Sequence, residues 1–272
     1  MPIEPMGPVV VGVNGSASSL AALDLAADEA AGRVTPLLVL HAYGPVPHVV
    51  PACAPEWVER ATAARRLLRT AVGEVNAEHP GLGTAHELAV GDPVDALVAR
   101  STEACLVVVG PGHVARRLAT RSASPVLVHR PLDHASAAES PRPVLVGVDD
   151  RPDAEATIAF AFAEAALRGA PLEALHVWSH HPSPHGFAAR RKDTELMLEG
   201  ALATWAAKYP DVSVRHRVAH SLDVAGTLRD ASAHAQLIVV GRCEHGAPGS
   251  ASCGTITNVL LHRAGCPVAV VP

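Results

Sequence analysis

The stretch Leu237-Ile238-Val239-Val240-Gly241-Arg242-Cys243-Glu244-His245-Gly246-Ala247-Pro248-Gly249-Ser250-Ala251-Ser252-Cys253-Gly254-Thr255-Ile256-Thr257-Asn258 decides how this chain is read. Leu237–Val240 is a short apolar run that stops at a glycine, as a buried strand does. Gly241, Gly246, Gly249 and Gly254 follow, with small residues among them. Beyond Gly254 the spacing turns helical: Ile256, Val259, Leu260 and Arg263 recur at helical intervals, and Thr255 stands where the helix begins. Strand, glycine-rich loop and helix N-terminus together can hold an anion, because loop amides point inward and the helix dipole favours negative charge. The same order also describes a flexible turn that holds nothing.

Working outward, the chain carries one unit written twice. Val9-Val10-Val11-Gly12-Val13-Asn14 reads as a first strand, followed by an Ala-rich helix from about Ser18 to Ala31 that Gly32 is expected to end. Pro36–Tyr43 is a second strand. A Pro-rich loop then leads to a long helix whose stripe is Trp57, Ala61, Ala64, Leu68 and Ala71. A third strand lies near His86–Val90, and Asp92-Pro93 supplies an N-cap and a proline at the first helical position. Cys105–Gly110 is a fourth strand, a brief helix covers His113–Thr120, and Pro125–His129 is a fifth. Residues 130–142 are rich in Pro, Ala, Ser and charge and read as a linker.

After the linker the order repeats. Gly147 matches Gly12 and Leu175 matches Leu40, both at a separation of 135 residues. Arg190–Ala206 is a second long helix with Leu198, Leu202 and Trp205 on one face. Val212–Val218 is a strand, a helix runs from a Ser221 cap to about Ala233, and Cys266–Val271 closes as Pro125–His129 did. A constant offset over separate motifs marks an internal duplication. Strands alternating with helices at this rhythm predict a parallel sheet in each half.

Composition narrows the function classes. Hydrophobic residues are 49% of the 272, yet aromatics are only 3%, so the core is built from Val, Leu and Ala. That suits helices stacked on a buried parallel sheet. The net charge of −5 with no basic run gives a nucleic-acid partner no electrostatic support. No apolar segment approaches the ~20 residues of a membrane span. The start of the chain lacks a basic segment followed by an apolar one, so no signal peptide is expected. Five scattered cysteines (Cys53, Cys105, Cys243, Cys253 and Cys266) suit reduced thiols, and a cytoplasmic location is expected.

Over essentially its whole length the pattern resembles a tandem universal stress protein. The residues that carry the resemblance are Val-Gly-Val-Asn at 11–14 and Val-Gly-Val-Asp at 146–149, Leu-His-Ala at 40–42 and Leu-His-Val at 175–177, Val-Val-Gly before a glycine loop, and Ser/Cys-Pro-Val before a final apolar strand. The resemblance implies two Rossmann-like domains of the adenine nucleotide α-hydrolase type, each a five-stranded parallel sheet between helices. It places them at residues 1–132 and 143–272, with the linker at 133–142. It further implies ATP or another adenine nucleotide at the carboxyl ends of the strands, a role as a stress-response regulator or interaction module, a protein partner of unknown kind, and pairing of domains within one chain or in a homodimer.

Carried over residue by residue, the family loop G-x2-G-x9-G-S/T finds Gly241 at its first glycine and Gly254-Thr255 at its end, while Glu244 takes the middle glycine. Asp149 matches the acidic residue that faces base and ribose, and Val177 matches the position beside adenine. Thr255 and Ile256, on the first turn of the helix, would face phosphate with a hydroxyl and amides. Arg242 and Arg151 are nearby cations, and Asp150 stands where the family has Gly or Ser. Were Glu244 ~4 Å from a phosphate oxygen at an effective dielectric near 20, repulsion would be roughly 4 kcal/mol, about three powers of ten in affinity. A bridging Mg²⁺ would remove that penalty.

The first half departs further. From Gly110 to Pro125 is 15 residues, against 26 from Gly241 to Pro267; no Gly-Ser/Thr pair remains, and Asn14 replaces the acid. The resemblance therefore implies a degenerate N-terminal domain and a nucleotide in the C-terminal domain only. Two rivals stand beside this reading: a scaffold with both sites dead, and a slow nucleotide hydrolase, for which no residue supplies a general base. No catalytic residue is assigned. The His180-His181-x3-His185 cluster lacks a carboxylate or cysteine at ligand spacing and reads as a solvated loop, so no metal site is expected. Cys243 and Cys253 flank the loop, where amides can lower a thiol pKa, but small loop-lining residues are the simpler reading. His41 and His176 occupy equivalent strand ends, as rings packed under a loop.

Overall fold

The valine runs become strands that are buried on both sides: Val9, Val11, Val107, Val108, Val144 and Val239 are each 0% exposed, as expected where helices cover both faces of a parallel sheet. A computed structural model of the chain describes residues 7–44, 55–132, 141–149, 154–179, 187–242 and 254–272. It divides into two compact units, Met1–His129 and Arg130–Pro272.

The first unit runs β1 (Val9–Gly12), α1 (Ala17–Arg33), β2 (Leu37–Tyr43), α2 (Pro55–Glu78), β3 (Thr84–Val90), α3 (Pro93–Ser101), β4 (Leu106–Val109), α4 (His113–Arg121) and β5 (Val126–Val128). All its strand pairs are parallel, in the order β3-β2-β1-β4-β5. The second unit repeats this with β6 (Val144–Val148), α5 (Ala154–Leu167), β7 (Leu172–Trp178), α6 (Phe187–Lys208), β8 (Val214–His220), α7 (Val224–Ser232), β9 (Leu237–Gly241), α8 (Thr255–Arg263) and β10 (Val268–Val271). Its order is β8-β7-β6-β9-β10, again parallel. In each sheet the chain lays three strands in one direction and then crosses back past the first. The order reverses between β1 and β4, and between β6 and β9; such switch points open a crevice at the carboxyl ends of the strands.

The α2 stripe is buried as its spacing requires: Ala64, Leu68, Ala71 and Val75 are all under 5% exposed. Asp92 caps α3, its Oδ1 accepting the Val94 amide at 2.8 Å. The Arg117 guanidinium, 2.7 Å from the other oxygen, is the main reason its carboxyl is held below the usual carboxylate range. At α7 the cap is Asp223 rather than Ser221: Asp223 Oδ1 accepts the Gly226 amide at 2.8 Å, and Ser221 Oγ supports the turn by accepting the Asp223 amide.

Helix α1 corrects the sequence reading more instructively. Gly32 does not end it; the helix reaches Arg33, and Val34 takes the left-handed cap position at φ 54°. Continuing through Gly32 brings Arg33 Nη1 to 2.5 Å from Glu29 Oε2, a carboxylate only 4% exposed. The pair recurs 135 residues later as Arg168 and Glu164, whose side chain is 1% exposed. At the matching cap the second unit has Gly169, with φ 57°. A β-branched residue in this conformation costs about 1–2 kcal/mol, and Val34 is 93% exposed, so packing returns nothing. Val34→Gly is therefore expected to stabilise the first unit by about 1 kcal/mol after the extra backbone entropy of glycine is deducted, raising Tm by about 3 °C. Differential scanning calorimetry checks this; a lower Tm would contradict it.

Candidate functional site

The crevice of the second unit is built where β6 and β9 end. Gly241 closes β9 against α5: a Cβ there would lie 3.0 Å from Thr157 Oγ1, so the strand end can approach the helix this closely only without a side chain. Gly110, the matching residue of the first unit, is more confined still, with the Ser18 carbonyl oxygen 2.9 Å from a would-be Cβ. One residue past β9, the Arg242 amide donates to the Val271 carbonyl at 2.7 Å, which ties the loop's first residue to β10.

Asp149 follows β6 directly and is exposed. It lines two concavities. One, of about 20 Å³, also touches Gly241, Arg242 and Thr157, room enough for a water. The other, of about 450 Å³, lies between α5 and α6 and is walled by Ile158, Met197, Ala201 and Trp205. Asp149 thus separates a polar side, made by strand ends, from a largely apolar side made by helices. The fold brings Asp149, Gly241 and Arg242 around one cavity. Val177 is one strand away on β7, half-buried, next to His176 and in register with Ala219 on β8.

Gly254, Thr255 and Ile256 open α8. Gly254 is buried and its carbonyl starts the helix by accepting the Asn258 amide at 2.9 Å. Among the described residues no side chain caps this end and no acid lies in the first turn, so the leading amides and the positive end of the dipole are left to other partners. Thr255 is exposed and Ile256 half-buried. Neither lines the two concavities among the described residues. Residues 243–253, with Glu244, Cys243 and Cys253, lie outside the described residues, as do Asp150, Arg151 and the His180–His185 cluster. No group of three metal-ligating side chains occurs among the described residues. Nor is any helix there long and apolar enough to cross a membrane.

Comparing the repeats locates the difference in length. Helices α4 and α8 each have nine residues. From Gly110 to His113 is 3 residues and from Gly241 to Thr255 is 14, so the difference of 14 − 3 = 11 sits wholly in the strand-to-helix loop. The first unit keeps a cavity of about 200 Å³ at its crevice, lined by Asn14, Ser16, Ser18, Ala42, Gly112 and His113 among others. Among the described residues no Asp, Glu, Lys or Arg lines it. Asn14 is occupied locally: its Oδ1 accepts the Ser16 amide at 3.0 Å. Sequence reasoning missed Thr157 and the Met197–Trp205 wall, because Trp205 fell in a helical stripe that reads equally well as core. The rings of His41 and His176 each lie against a backbone carbonyl, those of Val13 and Val148.

The Universal stress protein family profile matches this chain twice, over residues 6–130 and 141–272. A universal stress protein of Mycobacterium tuberculosis is 35% identical over 287 residues, spanning 96% of this chain and 96% of its own. The crystal structure of a universal stress protein from Archaeoglobus fulgidus superposes with a TM-score of 0.72 at 17% identity, covering 97% of this chain and 96% of that one. A universal stress protein crystallised in complex with cAMP is 32% identical over 47% of this chain and 99% of its own, with a TM-score of 0.39.

Proposed function

This chain belongs to the universal stress protein family, and on that premise we propose that its second unit binds ATP or another adenine nucleotide and acts as a stress-response regulator, while its first unit is a scaffold. The observation that supports this most is the meeting of Asp149, Gly241 and Arg242 at the β6/β9 switch point, with an apolar groove opening on the other side of Asp149. The residues suit the ligand. Asp149 would accept from ribose hydroxyls or the base amine, and Val177 with the groove would take the ring. The uncapped α8 amides, the Thr255 hydroxyl and Arg242 would receive phosphate oxygens. Gly254 brings no side chain of its own to that helix end, and Ile256 anchors its first turn. Binding would order the loop between β9 and α8, and so change the surface offered to a protein partner. The first unit lacks the 11-residue loop; the N-terminus of α4 at its cavity is uncapped as that of α8 is, but no Asp, Lys or Arg among the described lining residues is there to serve base, ribose or phosphate.

Isothermal titration with ATP, with and without Mg²⁺, tests the proposal. Saturable heat with one site per chain is expected, larger with Mg²⁺ because the ion can lie between phosphate and the Glu244 carboxylate. Absence of heat at millimolar ATP removes the nucleotide and leaves the scaffold reading, which the acidic Glu244 in the loop favours. Hydrolysis ranks below both, since Asp149 would be engaged at the base and ribose and no other Asp or Glu side chain among the described residues lines the small cavity.

A further inference from the structure

Both units contain a side-chain bond that the site above does not use. His176 on β7 is 3% exposed, and its Nδ1 lies 2.9 Å from the carbonyl oxygen of Val148, the last residue of β6. His41 on β2 does the same to Val13, at 2.7 Å. A carbonyl only accepts, so Nδ1 carries the hydrogen in each ring. The carbonyl it holds belongs to the peptide group that joins Val148 to Asp149, or Val13 to Asn14. That peptide is planar, so fixing the direction of the Val148 oxygen fixes the plane that carries the Asp149 amide and leads into its Cα. Asp149 is otherwise an exposed residue at the point where the chain leaves the sheet.

We propose that His176 is a positioning residue, whose Nδ1–H bond to the Val148 carbonyl sets the orientation of Asp149 for the ligand. This rests on the nucleotide reading of the same site. It also explains why a polar ring sits in a strand otherwise made of Leu, Ala, Val and Trp beyond Glu173. The register that pairs Val148 with His176 already ties this peptide into the β6–β7 ladder, and the ring's donor adds a second bond to the Val148 carbonyl that an apolar residue there would not supply.

His176→Phe keeps the ring volume and removes the donor, and His41→Phe is the matched control in the unit without the loop. His176→Phe is expected to weaken ATP about tenfold by titration, and His41→Phe to leave ATP affinity unchanged while losing a similar amount of Tm. Added to Asp149→Ala, His176→Phe should cost no further affinity, because it acts through the carboxylate already removed. Unchanged affinity in His176→Phe, or a full additional loss on the Asp149→Ala background, overturns the proposal. If the wild-type chain binds no ATP, the nucleotide reading fails on its own, and hydrogen exchange decides the positioning claim. Faster exchange at Asp149 in His176→Phe, with no change at Asn14, supports it; equal protection at Asp149 in wild type and variant overturns it.

Discussion

Arg168→Met is expected to destabilise the second unit by about 3–5 kcal/mol in urea unfolding at neutral pH. The reason is its partner. Glu164 has a side chain 1% exposed, and Arg168, 17% exposed, lies against it one helical turn away. Removing the guanidinium takes from a carboxylate that has given up its water the charge it lies against. The double change Glu164→Met with Arg168→Met is expected to recover most of the loss, because two apolar side chains need no desolvation repaid. Arg33→Met should do the same to the first unit, where Glu29 is 4% exposed. A loss below about 1 kcal/mol would mean that the pair behaves as a surface one. Helix α5 carries Glu164, with Arg168 one residue past its end, together with Ala154 and Thr157, which line the small cavity at Asp149, so a weakened α5 is expected to lower ligand affinity as well.

The second large effect concerns Glu244. Glu244→Gly restores the glycine that the family loop carries and removes a carboxylate from the segment between β9 and α8. It is expected to tighten ATP by up to about 10³-fold, the size of a single like-charge contact of roughly 4 kcal/mol. The gain should shrink when Mg²⁺ is present and grow at low ionic strength, since both act on the same repulsion. Titration of the variant beside the wild type measures it. Equal affinities would place Glu244 away from the phosphates. Binding gained from an undetectable level would show that the natural chain is the scaffold.

The architecture was legible because its signals are redundant. Four-residue valine runs ending at glycine, helical stripes such as Ala64, Leu68 and Ala71, and an offset of 135 residues shared by separate motifs all demand the same α/β repeat. Single-residue signals misled where a tertiary contact competed with them. Gly32 looks like a helix end, but stopping there would strand Glu29 without Arg33, so the helix continues and Val34 bears the strain. Ser221 is a good cap by type, yet Asp223 lies nearer the first turn and takes the Gly226 amide. The buried Glu–Arg pairs were invisible for a related reason: at i, i+4 such a pair looks like a solvated helix face, and only packing shows that Glu29 and Glu164 are inside. Of the candidate site, the cluster of Asp149, Gly241 and Arg242 follows from which strands are neighbours, which the repeat pattern implies. The groove between α5 and α6 depends on where Met197 and Trp205 project, which periodicity cannot resolve.

Photolabelling tests the central claim most directly. The full chain is irradiated with 8-azido-ATP, digested, and the labelled peptides are identified by mass spectrometry, with excess ATP as competitor. The account predicts labelling within residues 141–272, on peptides bearing Val177 or the wall of the α5–α6 groove, abolished by ATP and reduced in Asp149→Ala. Competed labelling in residues 7–129, at the cavity of Asn14 and Ala42, would place the nucleotide in the other unit and contradict it.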